Sequence, residues 1–244
     1  MPASPVTYTF LGPEGTFTEA ALMQVPGAAE AIRIPSSNVN AALDKVRNGS
    51  ADAAMVPIEN SVEGGVTATL DAIATGQELR ILREALVPIS FVLVVRPGVR
   101  IEDIRRVSTH GHAWAQCRLW VEANIPNAEY IPGSSTAAAA MGLLEGDPHY
   151  DAAICAPIVA AEQPGLSVLA ENIGDNPGAV TRFVLVGRPG QLPERTGADK
   201  TTVVVPLPED RPGALMEILD QFATRGVNLS RIESRPTGQY LGHY

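Results

Sequence analysis

Two stretches of the chain repeat the same order of apolar and polar positions. Each begins with an Ile-Pro loop that carries serines, continues through a predicted helix, stops at a glycine and ends in an apolar Asp-Ala-Ala strand that reaches Pro-Ile. The first unit spans residues 34–58 with its stop at Gly49, and the second spans residues 131–158 with its stop at Gly146. Asp-Ala-Ala alone is a common sequence, but the match keeps its order over all of these features. A repeated helix–strand unit predicts two similar α/β lobes, and two lobes enclose a cleft.

Around these units, strands alternate with short helices. A strand at residues 8–11 breaks at a Gly-Pro-Glu-Gly turn, and Thr16 and Glu19 then have the spacing of a capping box that opens a helix through Met23. Further strands are predicted at residues 79–82, 86–95, 107–109, 166–169 and 182–186, and further helices at residues 101–104 and 113–121. This alternation predicts a mainly parallel sheet in each lobe.

The pattern changes towards the end of the chain, after a segment rich in Pro, Gly and scattered charge. The elements predicted there are a strand at residues 202–207, an amphipathic helix at 212–225, a strand at 227–235 and the start of a third strand at 239–244. We therefore expect a bilobal domain at residues 1–188, a linker at 189–200 and an α+β module at 201–244. So short a β-α-β-β segment rarely folds alone, so we expect the module to be truncated or completed by a partner chain.

Composition and charge narrow the function classes. The 244 residues carry a net charge of −9 with no block of Lys or Arg, which argues against a nucleic-acid or membrane partner. The longest apolar run, residues 85–95, is too short to cross a bilayer, and the first residues form no secretion signal. Cys117 and Cys155 lack a CxxC spacing, so we expect free thiols and a cytoplasmic location.

Four polar segments stand at predicted strand–helix junctions. They are residues 12–18, 59–65, 109–112 and 134–136. Backbone N–H groups at a helix start, together with Ser and Thr hydroxyls, bind carboxylates well. For any one hydroxyl taken alone, N-capping is the simpler interpretation. The convergence of all four segments on one cleft would indicate a site for an anionic ligand.

A further group of candidates follows the loop at residues 174–178. On the strand that begins there, Thr181 and Phe183 face one side and Arg182 the other. If Thr181 faces the cleft, Arg182 braces the loop or grips a carboxylate from its edge. Taken alone, Thr181 is an ordinary β-branched strand residue. For Glu59 the sequence leaves two roles open: a general base, or a buried structural carboxylate.

Metal and nucleotide sites are not predicted. His110 and His112 form an HxH pair, but no third ligand follows at a typical spacing, which favours a hydrogen-bonding role. Gly12 and Gly15 lack the third glycine of a dinucleotide fingerprint and the Lys-Ser/Thr of a P-loop. We therefore expect neither a metal nor a cofactor.

In sequence order, these segments resemble the prephenate dehydratase family of phenylalanine biosynthesis. The family's opening motif resembles residues 12–21, and its most distinctive motif resembles residues 56–65. Its later motifs resemble His110 with Gln116-Cys117, then Ser134-Ser135-Thr136-Ala137, then Thr181-Arg182-Phe183. Residues 213–215 and 233–236 resemble two motifs of the family's regulatory ACT domain. The resemblance covers the whole chain.

The resemblance implies periplasmic-binding-protein-like lobes around a cleft, followed by a partial, ferredoxin-like ACT domain. It implies a lyase that removes water and CO2 from prephenate to give phenylpyruvate, works as a homodimer or homotetramer and is inhibited by phenylalanine. Thr181, as donor to the departing hydroxyl, and Glu59 are the implied catalytic residues. The implied substrate-binding residues are Thr16, Asn60, Ser61, His110, Gln116, Ser135, Thr136, Arg182 and Phe183. The implied effector-binding residues are Gly213, Ala214, Leu215, Glu233, Ser234, Arg235 and Pro236.

The chain departs from the family pattern in two places. Ala179 stands where many members have Asn, so Asn176 substitutes for that side chain or the side chain is dispensable. The ACT motifs normally continue through a further helix and strand, so we expect a weak response to phenylalanine. No chorismate mutase segment precedes Tyr8, which predicts a monofunctional enzyme. Two alternatives stay open: arogenate as the substrate, and a non-catalytic two-lobed binding protein.

Overall fold

The structure is a computed structural model that describes residues 5–62, 64–146, 148–190, 193–207 and 211–235. The chain divides into two compact units, Met1–Glu194 and Arg195–Tyr244. No helix among the described residues is both long and apolar enough to cross a membrane.

The first unit contains eleven strands and seven helices within its described residues. The strands are β1 (Thr7–Leu11), β2 (Ile32–Ser36), β3 (Ala53–Asn60), β4 (Gly64–Gly65), β5 (Arg80–Pro88), β6 (Val92–Val95), β7 (Arg106–Thr109), β8 (Glu129–Pro132), β9 (Ala152–Cys155), β10 (Ser167–Ala170) and β11 (Val180–Gly187). The helices are α1 (Phe17–Leu22), α2 (Val39–Arg47), α3 (Thr67–Ala74), α4 (Gly111–Gln116), α5 (Arg118–Asn124), α6 (Thr136–Gly142) and α7 (Pro157–Glu162), with one 3-10 turn at Ile101–Asp103.

The strands form two sheets with the same order, one in each lobe. The first sheet is ordered β2-β1-β3-β11-β5, with β4 paired to β3, and the second is ordered β8-β7-β9-β6-β10. This matching order confirms the two similar α/β lobes. In each sheet the first, second, third and fifth strands of this order run in one direction, and the fourth, β11 or β6, runs antiparallel to both of its neighbours. The short β4 is also antiparallel to β3. The prediction of mainly parallel sheets is therefore confirmed, although it did not include the one antiparallel strand within each five-strand order.

The antiparallel strands reflect how the chain passes between the lobes. It leaves the first sheet after β5, enters the second at β6, and returns from β10 to β11. Residues 89–91 link β5 of the first sheet to β6 of the second, so the chain passes between the sheets without an intervening helix. The predicted strand at 86–95 is therefore divided between two sheets, and the predicted strand at 79–82 is the start of β5.

The repeated Asp-Ala-Ala sequence has the same structural role in both lobes. The Asp52 carboxylate accepts a hydrogen bond from Thr7 N at 2.7 Å, at the start of β1. The Asp151 carboxylate accepts from Arg105 N and Arg106 N, both at 2.9 Å, at the start of β7. The alanines that follow each aspartate are buried in the central strands. Each unit thus fixes the first strand of its lobe beside the third.

Three local details differ from the sequence expectations. Asn38, and not a serine, caps α2 by accepting from Ala41 N at 2.8 Å, whereas Ser135 caps α6 as predicted. Pro57 lies inside β3, while Pro157 begins α7. The predicted helix at 113–121 is divided into α4 and α5 at Cys117, whose φ of −118° and ψ of 8° interrupt the helix.

Three apolar clusters form the core of the first unit. The largest spans both lobes and includes Phe10 and Met55 from the first sheet and Leu93 and Ile154 from the second, all fully buried. The other two clusters lie on the remaining face of each sheet, beneath α2 and α3 in the first lobe and beneath α6 and α7 in the second. The shared cluster places the cleft on a continuous apolar base.

The second unit contains one helix among its described residues, α8 (Ala214–Ala223), which confirms the predicted amphipathic helix. Gly213 precedes it with a φ of 89°, a conformation that favours glycine. The strands predicted at 202–207 and 227–235 are not found, because no described residue pairs with either segment in a sheet ladder. The strand predicted at 239–244 lies outside the described residues.

Candidate active site

A cleft of about 360 Å³ lies between the two lobes. Its described lining comes from strand ends, helix starts and the interlobe connections: Leu11, Gly12, Thr16, Phe17, Thr18, Ser37, Pro57, Asn60, Ile89, Phe91, His110, His112, Ala113, Gln116, Ser134, Ser135, Thr136, Thr181 and Phe183. The volume is within the range of sites for small molecules. All four polar segments that the sequence places at strand–helix junctions contribute to this lining.

Most of the predicted site residues converge on this cleft. The structure brings together Thr16, Asn60, His110, Gln116, Ser135, Thr136, Thr181 and Phe183. It does not bring Glu59, Ser61 or Arg182 into the described lining. Thr181 and Phe183 reach the cleft while Arg182 does not, as strand alternation predicts.

Thr181 receives a hydrogen bond of defined direction. Asn60 Nδ2 donates to Thr181 Oγ1 at 2.9 Å, and Asn60 Oδ1 accepts from Val62 N at 2.7 Å. Because Val62 N–H requires an acceptor, the oxygen of the Asn60 amide faces Val62 and its NH2 group faces Thr181. A hydroxyl that accepts in this way still has one proton to donate. The Thr181 hydroxyl, which lines the cleft, therefore keeps a proton that it can donate to a group bound there.

Ser61 fixes the residue before Thr181. Val180 N donates to Ser61 Oγ at 2.9 Å, and Ser61 N donates to Val180 O at 2.9 Å. Ser61 therefore acts on the strand that carries Thr181 and is placed outside the lining.

Arg182 lies between two carboxylates. Its Nε is 3.5 Å from Glu59 Oε2, and its Nη1 is 3.5 Å from Glu84 Oε2. Arg182 and Glu59 are also backbone partners across β11 and β3. Glu59 and Arg182 therefore lie outside the described lining, on the opposite side of their strands from Asn60 and Thr181, and their ion pair joins the two strands.

Only part of the apolar wall of the cleft was predicted from the sequence: Phe183 was a predicted site residue, whereas Ile89 and Phe91 were not. The wall consists of Phe17, Ile89, Phe91 and Phe183, with Phe17 and Phe91 packed edge to face at 5.7 Å between ring centroids. Ile89 and Phe91 belong to the short interlobe link, which sequence periodicity interprets as the middle of one strand. No signal in the sequence distinguishes these two residues from core residues.

The polar wall is formed by helix starts. Ser135 Oγ accepts from Ala138 N at 2.9 Å, which leaves its hydroxyl proton to donate. Thr16 Oγ1 instead donates to Leu11 O at 3.3 Å and accepts from Glu19 N at 3.4 Å, so its proton is used within the protein. His110 Nδ1 accepts from His112 N at 3.4 Å, and the two rings are stacked. Ser135 is therefore a stronger candidate donor than Thr16.

The described lining contains no Lys, Arg, Asp or Glu. An anionic ligand would therefore be held by hydroxyl, amide, imidazole and backbone N–H donors. The two cysteines do not supply a nucleophile, because burial raises the pKa of both the Cys117 and Cys155 thiols from 9.0 to about 12.

Asn176 does not replace the family's missing asparagine at the cleft. Its Oδ1 accepts from Gly178 N at 3.0 Å in the loop before β11, and it is not part of the described lining. Ala179 is buried, and its carbonyl oxygen accepts from Ile89 N at 2.8 Å. Residue 179 therefore contributes its backbone to the interlobe connection.

The predicted effector residues lie in the second unit. Gly213 precedes α8, Ala214 begins it and is buried, and Leu215 is exposed. Glu233 forms an ion pair with Arg231. Ser234 and Arg235 are described as residues without regular secondary structure, and Pro236 lies outside the described residues.

Comparisons with known proteins agree on one family. The prephenate dehydratase family profile matches residues 8–191. A prephenate dehydratase of Mycolicibacterium vanbaalenii is 45% identical over 248 residues, which cover 96% of this chain and 78% of that protein. The crystal structure of a prephenate dehydratase from Arthrobacter aurescens in complex with L-Phe is 84% identical, with a TM-score of 0.92 over 98% of this chain and 78% of that one. The Staphylococcus aureus prephenate dehydratase is 31% identical, with a TM-score of 0.76 over 98% and 87% of the two chains.

Proposed function

The chain belongs to the prephenate dehydratase family, and on that premise we propose how its cleft converts prephenate to phenylpyruvate, water and CO2. The reaction is a carbon–oxygen lyase step: the ring hydroxyl and the ring carboxylate leave together, and the ring becomes aromatic. Because aromatisation makes the reaction strongly downhill, the enzyme has to assist the departure of hydroxide and orient the substrate.

The direction of the Asn60–Thr181 hydrogen bond carries this proposal. Asn60 donates to Thr181 Oγ1, so the Thr181 proton is not used in this contact and can be donated to the departing hydroxyl. An amide NH2 group cannot accept a proton from Thr181, so the pair does not activate Thr181 as a nucleophile. Thr181 thus acts by orientation and by stabilising the charge that develops on the departing oxygen.

The two walls of the cleft match the two ends of the substrate. Ser135 and Thr136 at the start of α6 are suited to hold the pyruvyl carboxylate with hydroxyl and backbone N–H donors. The apolar wall that includes Phe17 and Phe91 is suited to the ring and leaves the ring carboxylate poorly solvated. Poor solvation favours loss of the carboxylate as neutral CO2, because the charge leaves that group during the reaction.

In this proposal three residues do not contact the substrate and instead position the residues that do: Glu59, Ser61 and Arg182. Ser61 holds Val180, and Arg182 spans Glu59 and Glu84 on the opposite side of the strand from Thr181. They keep β3 and β11 in the register that places Asn60 opposite Thr181.

The absence of an acidic residue in the described lining favours prephenate over arogenate. Arogenate carries an ammonium group on its side chain, and a buried ammonium requires an acceptor or a counter-charge. We expect kcat/KM for prephenate to exceed that for arogenate by about tenfold or more. A higher kcat/KM for arogenate than for prephenate would identify arogenate as the preferred substrate, and the proposed reaction type would stay the same.

The test of the proposed reaction is the formation of phenylpyruvate by the wild type, Thr181→Val and Thr181→Ser at slightly alkaline pH, where uncatalysed breakdown of prephenate is slow. Valine keeps the shape of threonine and removes the donor, whereas serine keeps the donor. We expect Thr181→Val to lose about 10²–10³ in kcat and Thr181→Ser to retain most of it.

Folded wild type without turnover would reject the proposed reaction and favour a binding protein. Turnover by Thr181→Val at the wild-type rate would keep the reaction and reject Thr181 as the donor. Circular dichroism and thermal unfolding of both variants exclude a loss of folded protein as the cause.

For the second unit, residues 195–244, we propose regulation by phenylalanine through an ACT-type module. The support is the pair of motifs at 213–215 and 233–236 and the L-Phe complex of the Arthrobacter aurescens relative. Calorimetric titration with L-Phe, using Gly213→Val as the variant expected to lose binding, tests this assignment. Equal affinity in the variant would show that L-Phe binds elsewhere. A homodimer or homotetramer stays a prediction.

A further inference from the structure

The loop that returns from the second lobe to the first is hydrogen-bonded to the junction between α4 and α5, beside the cleft. This loop, residues 171–179, connects β10 to β11 and leads directly to Thr181. Its central residue, Asp175, makes hydrogen bonds with three residues of the α4–α5 segment. The established motifs of the cleft give Asp175 no function.

Asp175 binds the junction with both its side chain and its backbone. Its carboxylate accepts from Leu119 N at 3.1 Å and from Trp120 N at 3.2 Å, at the start of α5. Its own N–H donates to Gln116 O at 2.7 Å, at the end of α4. A carboxylate at a helix start also interacts favourably with the helix dipole.

These contacts matter because the helix is broken at this point. Cys117 separates α4 from α5, so α5 does not continue the hydrogen-bonded ladder of α4. Gln116 is the last residue of α4 and lines the cleft. Across this break, the backbone of Cys117 donates to Trp114 O at 3.1 Å and accepts from Val121 N at 3.0 Å. The place of Gln116 relative to α5 therefore rests on Cys117 and on Asp175, which contacts both sides of the break.

The same loop is bound to the apolar wall and to the strand of Thr181. Ile173 N donates to Phe91 O at 3.1 Å, and Ile89 N donates to Ala179 O at 2.8 Å. Asp175 thus belongs to a continuous backbone connection that includes Gln116, Phe91 and Ile89 of the lining and ends at Thr181.

We propose that Asp175 is a positioning residue of the active site: by bridging the α4–α5 break it holds Gln116 at a fixed place relative to Thr181. This inference rests on the proposed function of the cleft. Asp175 does not line the cleft and does not touch the substrate. Displacements of about 1 Å in a catalytic site can cost about 10²-fold in rate, so loss of the bridge is expected to affect binding and turnover together.

Asp151 provides a matched control. Its carboxylate also accepts from two consecutive backbone N–H groups, those of Arg105 and Arg106, but at the start of β7 and outside the described lining. Asp175→Ala and Asp151→Ala therefore each remove one carboxylate and two comparable hydrogen bonds. We expect each to lower Tm by about 2–6 °C.

The experiment measures kcat and KM for prephenate in the wild type, Asp175→Ala, Asp175→Asn and Asp151→Ala. Loss of folded enzyme lowers kcat and leaves KM unchanged, whereas displacement of Gln116 raises KM. We expect Asp175→Ala to raise KM about tenfold, Asp175→Asn to lie between it and the wild type because the amide keeps one acceptor, and Asp151→Ala to stay within about twofold. Amide hydrogen exchange at Leu119 and Trp120 should accelerate in Asp175→Ala, accelerate at one of the two amides in Asp175→Asn, and stay unchanged in Asp151→Ala.

The outcomes separate this inference from the proposed function. Absence of turnover in the wild type would reject the function, and the exchange measurement would still show whether Asp175 holds the junction. Turnover in the wild type with an unchanged KM in Asp175→Ala would reject the positioning role. Equal KM changes in Asp175→Ala and Asp151→Ala would also reject it, because the effect would then follow general destabilisation.

Discussion

Exchanging Asn60 for aspartate reverses the polarity of the hydrogen bond on which the proposed mechanism depends. The side chains have nearly the same shape, and an aspartate oxygen can still accept from Val62 N, as Asn60 Oδ1 does at 2.7 Å. The atom facing Thr181 Oγ1 changes from a donor, now at 2.9 Å, to an acceptor. The Thr181 proton is then drawn to the carboxylate and away from the cleft.

The expected loss follows from the removal of one oriented donor. Loss of one such donor costs about 10²–10³ in kcat, which corresponds to about 2.7–4 kcal/mol. Asn60→Ala removes the same NH2 group without capturing the Thr181 proton, so it should lose less than Asn60→Asp. The assay is phenylpyruvate formation at saturating prephenate, with the uncatalysed rate subtracted at each pH.

The pH dependence gives a second, independent measure. A protonated aspartic acid can donate to Thr181 Oγ1, so the activity of Asn60→Asp relative to the wild type should rise as the pH falls towards the carboxyl pKa, about 4 in an unperturbed aspartate. Equal losses in Asn60→Ala and Asn60→Asp at every pH would refute the reasoning, because the direction of the hydrogen bond would then be irrelevant.

Other parts of the structure give three more predictions. Lys45 Nζ donates to Ser36 Oγ at 2.6 Å, beside Ser37 of the lining. Lys45→Met should therefore raise KM for the dianionic substrate about 3–10-fold at low salt and less at high salt, and a KM that does not change at low salt would contradict this. Burial raises the pKa of both thiols from 9.0 to about 12, so between these pH values the folded state keeps protons that the unfolded state loses. The free energy of unfolding should therefore fall as the pH rises above about 9. The double variant Cys117→Ala, Cys155→Ala should flatten this decline, and an equally steep decline in it would contradict the reasoning. Glu59→Gln should reduce kcat/KM by less than tenfold, because Glu59 faces Arg182 and not the cleft, and a loss as large as that of Thr181→Val would restore Glu59 as a catalytic group.

The repeat and the order of elements could be predicted because they depend on local signals. Alternating apolar positions, glycine stops and the Thr16–Glu19 spacing each determine structure within a few residues. The breaks at Ile89–Phe91 and at Cys117 could not be predicted, since both depend on contacts with a distant loop. Phe91 O and Gln116 O, for example, accept from Ile173 N and Asp175 N.

In the candidate site, too, the local features could be predicted from the sequence and the long-range contacts could not. Motif order identified Asn60 and Thr181, but their contact joins residues 121 positions apart, and only the antiparallel register of β3 and β11 reveals it. The same register explains why Glu59 and Arg182, neighbours of these residues in sequence, face away from the cleft. Sequence order therefore indicated the segments that line the cleft, and strand pairing decides which side chain of each segment faces it.

The most direct test of the account is a crystal structure of Thr181→Val with prephenate bound at alkaline pH. The account predicts the ring hydroxyl within about 4 Å of the side chain at position 181 and the pyruvyl carboxylate at the start of α6, near Ser135. Prephenate bound with its ring hydroxyl against the α6 side of the cleft, or outside the cleft altogether, would contradict the central claim that Thr181 is the donor to the departing hydroxyl.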